Sequence, residues 1–273
     1  MISLTDTHCH IHEASELLQL NTETKKRYIK AGSPTPEEML DRAREAGVER
    51  LLVVGTTVED SEIAVAFAAK HDNVWVSIGI HPHEAKMYKD RPDMLARFKT
   101  LADHPKVLAV GECGLDYYYG HSPKEDQAQM LRFQIELALK HDLAMVFHVR
   151  DAFDDFWSIF DEYKGVRGII HSFSSDTKSL KNILKRGLYV GLNGIMTFTK
   201  DERQLDAAKA VPLDKLVLET DAPFLTPRPF RGSMCEPKHV RITAEFLAQL
   251  RGESLETLAA RTTSNAQKVL GMR

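Results

Sequence analysis

The sequence predicts an α/β fold, a (β/α)8 TIM barrel, on three observations. Eight short runs rich in β-branched and apolar residues recur along the 273 residues. Longer amphipathic stretches separate them, as in a parallel sheet covered by helices. No Gly-x-Gly-x-x-Gly follows the first run, which weakens the other possible closure, an open doubly wound sheet with a dinucleotide site. The count of strands and the chain length favour the barrel.

The first strand lies in SLTDTHCHIH, where Asp6, His8 and His10 alternate and share one face. Residues 13–34 read as an extended loop with a helical piece. A helix follows over 35–48, with Thr35 as its cap, Pro36 next, acids in the first turn and Gly47 at its end. The next strands are VERLLVVGTT (48–57), NVWVSIGIHPH (73–83) and KVLAVGECGLD (106–116). A long helix spans 124–142. The last four strands are DLAMVFHVRDA (142–152), VRGIIHSFSS (166–175), GLYVGLNGIM (187–196) and DKLVLETDAPF (214–224). Two helices end in Lys-His-Asp, at 70–72 and 140–142, so His71 and His141 are read as capping or surface residues, with His104 in the same class.

Hydrophobic residues make up 43% and charged residues 27%, ordinary values for one large core. No linker or repeat interrupts the chain, so a single domain over 1–273 is expected. No apolar run has the length of a membrane span, and the N-terminus has no basic and apolar leader pattern. Three scattered cysteines, Cys9, Cys113 and Cys235, form no disulfide framework and suit a reducing, cytoplasmic setting. Cys9 faces away from His8 and His10 and is read as packing. The net charge of −3 excludes a protein that coats nucleic acid or membrane, so a polyanion must be held locally. No obligate protein partner is evident.

The chemistry-bearing residues fall at the ends of the expected strands: His8 and His10, His81 and His83, Glu112, His148, His171 and Asp221. In a (β/α)8 barrel these ends converge on one rim. Each alone has an ordinary reading, as a hydrogen-bonded rim histidine or a helix cap. Together, four imidazoles (His8, His10, His148, His171) and two carboxylates (Glu112, Asp221) suit two divalent ions better than one. Glu112 is the candidate bridge, and Asp221 can also accept a proton from a bridging water. Two dications with two carboxylates carry a net +2, enough to anchor a phosphate or polarise a carbonyl. His81, His83, Asp116 and Arg150 are expected to support ligands or touch substrate. Zinc, magnesium, manganese and nickel all remain open as the metal.

These residues sit in motifs that resemble the TatD family of metal-dependent deoxyribonucleases, within the amidohydrolase-like barrels. The motifs are DTHCH (6–10), GIHPH (79–83), GECGLDYY (111–118), FHVRDA (147–152), HSFS (171–174) and ETDAPFLTP (219–227), in the family's order across nearly the whole chain. The resemblance implies a barrel that binds divalent metals and hydrolyses DNA phosphodiesters, as a 3′–5′ exonuclease on single strands or 3′ ends. It carries over His8, His10, Glu112, His148, His171 and Asp221 as metal ligands, and gives Asp221 a part in activating water. Three departures touch substrate recognition: Ile11 and His12 stand where the family has Leu-Asp, the loop after them is longer, and Cys235 stands where Asn is frequent. The same metal shell also serves amide or ester hydrolysis, including deacylation of D-aminoacyl-tRNA. A structural metal scaffold is disfavoured, because closed zinc sites use thiolates and Cys9 faces away. Arg228, Arg231 and Lys238, interleaved with Phe224 and Phe230, form a candidate DNA-contacting loop.

Overall fold

A computed structural model describes residues 2–15 and 22–272. Its strands are β1 (Leu4–Cys9), β2 (Val48–Val54), β3 (Val74–Ile78), β4 (Val107–Asp116), β5 (Ala144–Arg150), β6 (Gly168–Ile170), β7 (Tyr189–Leu192) and β8 (Leu216–Leu218). Its helices are α1 (Glu23–Lys30), α2 (Pro36–Glu45), α3 (Val58–Ala68), α4 (Ala85–Tyr88), α5 (Pro92–Leu101) and α6 (Lys124–Lys140). They continue with α7 (Phe153–Phe160), α8 (Thr177–Lys185), α9 (Glu202–Ala210), α10 (Val240–Arg251) and α11 (Leu255–Leu270). The strands follow sequence order through one eight-stranded sheet, with helices between successive strands. This is the (β/α)8 barrel that the alternating pattern predicts. Among the described residues, no helix is long and apolar enough to cross a membrane.

The chain divides into two compact units, Met1–Val53 with Ser172–Arg273, and Val54–His171. In the first unit every residue of β1 is buried. Its last residue, Cys9, pairs in parallel with Ala222, which follows β8. The Thr7 hydroxyl donates to Leu218 O at 3.0 Å, so the last strand returns to the first. α2 begins as expected, with Thr35 and Glu38 capping each other's backbone N–H groups. Within 13–34, a 3-10 turn (Ile11–Ala14) and α1 are found, and residues 16–21 lie outside the described residues. The Thr22 side chain caps α1 by accepting from Lys25 N at 3.0 Å, and Tyr28 anchors the helix in the core at 1% exposure.

The second unit carries β3 to β6. β4 and β5 pair over Ala109–Asp116 and Ala144–Arg150, with an irregularity between Val110 and Cys113. Gly79 allows the chain after β3 to approach this point, because a Cβ there would lie 2.3 Å from Glu112 N. Phe147 of β5 packs edge-on against Phe156 of α7 at 5.1 Å. His141 caps the C-terminus of α6, with Asp103 3.1 Å away. His71 lies beside the Phe67 ring at 4.7 Å, and His104 Nδ1 accepts Lys106 N–H at 3.2 Å. All three therefore hold chain turns.

Several strands place their site residues differently from the sequence reading. β3 stops at Ile78, so His81 and His83 stand in the turn beyond it. Pro82 sits between them, and proline supplies no N–H for a ladder. Glu112 and His148 lie inside β4 and β5 rather than at their ends. At the β4 irregularity an extra residue re-aims the side chains.

α6 fixes the loops around these residues with two buried amides. Gln134 Oε1 accepts Ile80 N–H at 2.8 Å, and its Nε2 donates to Ile80 O at 3.0 Å. Gln127, about two turns earlier on the same face, accepts Asp116 N–H at 2.8 Å and donates to Asp116 O and Ser122 O. Gln134→Leu keeps the volume but leaves two buried backbone groups of Ile80 unmade. It should destabilise the chain by about 2–4 kcal/mol in denaturant unfolding, whereas Gln204→Leu on α9 should change little.

Candidate metal centre

The first unit supplies one set of donors. Asp6 is wholly buried, and its Oδ1 accepts His8 N–H at 3.2 Å and Thr220 N–H at 2.9 Å. Its Oδ2 accepts the Thr220 hydroxyl at 2.6 Å. Burial pushes the carboxyl up to about 8, opposed by the bonds from Thr220 and His8. Asp6 is thus a tether rather than part of a metal-binding face. It leaves His8 and His10 with their Nε2 atoms 3.2 Å apart. Asp221 Oδ1 lies 3.7 Å from His8 Nε2 and 3.5 Å from His10 Nε2. The Asp221 backbone has φ 61, and its N–H donates to His8 O at 2.8 Å. Aspartate tolerates that left-handed conformation better than most residues. Its side chain is 16% exposed, against 0% for His8 and 4% for His10. It is therefore the member of the set open to solvent.

The second unit supplies the other set, gathered on Glu112. Its Oε1 lies 2.7 Å from His148 Nδ1 and 3.6 Å from the Nε2 atoms of both His81 and His171. His171 immediately follows β6, and its N–H donates to Phe147 O at 3.0 Å. His148 Nε2 reaches Asp116 Oδ2 at 2.9 Å, and His83 Nε2 reaches the same oxygen at 3.0 Å. Burial would lower the His148 pKa, but its bonds to Asp116 and Glu112 win and raise it to about 9. Burial lowers His81 to about 4. Burial also raises Asp116, but the His148 and His83 bonds and Tyr119 N–H outweigh it and hold the carboxyl far below its ordinary range.

Both sets fit a divalent cation by their chemistry. Two imidazole nitrogens 3.2 Å apart beside a carboxylate, and one carboxylate oxygen facing three imidazoles, are clusters of the nitrogen and oxygen donors that divalent metals take. His81, Glu112 and His148 together offer ligand atoms within 4.8 Å of one another. Asp116, gripping the far nitrogen of His148, orients that imidazole.

Arg150, Arg228 and Arg231 were expected as substrate contacts, whereas Tyr118, Tyr119, His121 and Glu219 escaped the sequence reading. The Arg150 guanidinium lies over the rings of Tyr118 and Tyr119 at 4.1 and 4.9 Å. Tyr119 stacks on His121 at 5.7 Å, and the two tyrosines are 60% and 53% exposed. The only signal was the unbroken Tyr117-Tyr118-Tyr119 run after Asp116. Glu219 is also buried. Its Oε1 accepts Ser172 N–H at 2.7 Å, and Gly191 makes room for it, since a Cβ there would lie 2.3 Å from Oε2. On the loop after β8, Arg228 is exposed, with its N–H on the Thr197 hydroxyl at 2.9 Å. Arg231 lies over Phe198 at 3.8 Å and donates to Thr226 O at 3.2 Å.

Comparison with known proteins agrees with this chemistry. The TatD-related DNase family model matches residues 5–271. The metal-dependent hydrolase YabD of Bacillus subtilis (strain 168) is 35% identical over 97% of this chain and 98% of its own. The 3′–5′ ssDNA/RNA exonuclease TatD of Cronobacter sakazakii is 35% identical over 85% of this chain and 90% of its own. The crystal structure of a TatD homologue from Escherichia coli K12 superposes with a TM-score of 0.85 at 25% identity, covering 99% of this chain and 98% of that one. The chain belongs to the TatD-related DNase family of metal-dependent hydrolases.

Zinc added to EDTA-treated protein at about 100 times its Kd should stabilise the fold by about 2.7 kcal/mol, a rise of roughly 5–10 °C in Tm. His8→Ala should lose most of that rise. The rise should also fade below about pH 6, where imidazoles take protons in place of metal. An equal rise in wild type and His8→Ala would place the metal elsewhere.

Proposed function

We propose that this member of the TatD-related DNase family hydrolyses phosphodiester bonds of single-stranded nucleic acid, working from 3′ ends. The observation that carries the reading is the convergence of three imidazoles on Glu112 Oε1, at 2.7 to 3.6 Å. His8, His10, Glu112, His148, His171 and Asp221 would hold two divalent ions, because each stands at or beyond the C-terminal half of a barrel strand. Bound there, the ions would supply Lewis-acid polarisation of a phosphoryl oxygen and a water of lowered pKa.

The remaining work belongs to the chain's own groups. Glu112 offsets cationic charge at the centre, which a neutral amide does not. Asp221, partly open to solvent, accepts a proton at Oδ1 and passes it outward. Asp116 keeps His148 oriented through Nε2 and holds His83 in place. Arg150, flanked by two exposed tyrosines, offers a guanidinium to a phosphate and aromatic faces to a base. The exonuclease named in the Cronobacter relative supports this substrate class.

Metal-loaded protein should shorten a labelled single-stranded oligonucleotide, lose that activity in EDTA and regain it with divalent metal. His83→Ala should lower the rate by about tenfold, and Glu112→Gln should fall well beyond that. Cleavage of an aminoacyl ester alone, or undiminished turnover in verified metal-free protein, would overturn the reading.

A further inference from the structure

A cleft of about 820 Å3 opens in the first unit beside Pro223, two residues past Asp221. Its size suits a nucleotide. Arg27 and Lys30 of α1 line one side, and Phe230 and Lys238 line another. Phe230 is 48% exposed, unusual for a large apolar ring, and it stacks on the His239 ring with centroids 5.5 Å apart at 29°. His239 is a fixed backing: its Nδ1 accepts Glu236 N–H at 3.0 Å, and burial, with Lys238 nearby, lowers its pKa to about 4 and keeps it neutral. Nearly half of the Phe230 side chain is left in solvent over this support.

The cations of the cleft are not all spent on the fold. Glu236 is answered by both Arg42 at 2.6 Å and Lys238 at 3.1 Å, and Arg241 by Glu245 at 2.9 Å. Lys30 is exposed and makes no ion pair among the described residues. Arg27 lies over the Phe224 ring at 4.7 Å and reaches Glu23 only at 3.6 Å, with its side chain 49% exposed. Arg231, by contrast, is held by Phe198 and Thr226 O. An exposed, backed aromatic ring between accessible cations is the arrangement that holds unpaired bases and their phosphates. An acidic peptide would match the cations but not the flat ring.

We propose that this cleft holds a nucleotide unit of a single-stranded substrate leading away from Asp221, with its base on Phe230 and its phosphates on Arg27 and Lys30. The proposal rests on the nuclease reading above, and it gives α1 a role in binding.

The test measures binding of a fluorescein-labelled, phosphorothioate-linked oligothymidylate to metal-loaded, full-length protein by anisotropy. Phe230→Ala should raise Kd about tenfold, and Phe230→Trp should restore it. Arg27→Ala with Lys30→Ala should raise Kd several-fold at low salt and reduce the slope of log Kd against log salt by about 1.4. Lys181→Ala, an exposed cation on α8 outside the cleft, should bind as wild type. Wild-type affinity in both the Phe230→Ala and Arg27/Lys30 variants would overturn the proposal. So would thymidine monophosphate competing as tightly as the oligonucleotide. If Phe230→Ala does not fold, the exposed Arg27 and Lys30 positions decide the point. Failure of the nuclease reading shows separately, as wild-type protein that cuts neither unmodified oligothymidylate nor a bis-nitrophenyl phosphodiester.

Discussion

A carboxylate taken wholly out of water joins the first strand to the segment after the last. Burying Asp6 would be prohibitive without partners, and its partners are His8 N–H and both donors of Thr220, 214 residues away in sequence. Those bonds hold the backbone of DTHCH against that of ETDAP. The Asp221 N–H then reaches His8 O, so the backbone of one proposed ligand positions that of another. Without this tether His8, His10 and Asp221 would sit on independent chain ends. A site loosened by an ångström loses much of its chemistry.

The second unit solves the same problem with neutral amides and one more carboxylate. Asp116 Oδ1 takes the N–H groups of Tyr118 and Tyr119, while Oδ2 faces His83 and His148. One buried group thus links the His148 imidazole to the exposed tyrosines under Arg150. Gln127 pins the Asp116 backbone from α6, and Gln134 pins Ile80 beside His81. Polar side chains buried in this way hold loops that backbone ladders do not reach.

An acidic chain proposed to act on a polyanion has to concentrate its positive charge. Arg150 lies on its tyrosines, and Arg27 and Lys30 stand on α1, the helical piece expected within 13–34, to which the sequence assigned no function. Gln127 and Gln134 were also invisible in advance, because a glutamine in an amphipathic helix reads as surface. Only its neighbour across the loop shows that it is buried. Phe230 was legible as an aromatic among arginines, but its backing by His239 was not.

Local pattern was enough for the eight strands, the barrel, the Thr35 cap and the six proposed ligands. Each of these is written in residues close together in sequence or in motifs of fixed spacing. The tertiary structure decided which atoms meet. It placed Glu112 and His148 inside their strands, put His81 and His83 beyond β3, and gave Asp6, on the same strand face as His8, the part of a tether. Side-chain period follows from backbone geometry within a few residues. A hydrogen bond between Asp6 and Thr220, 214 positions apart, exists only when the chain between them has folded to bring them together.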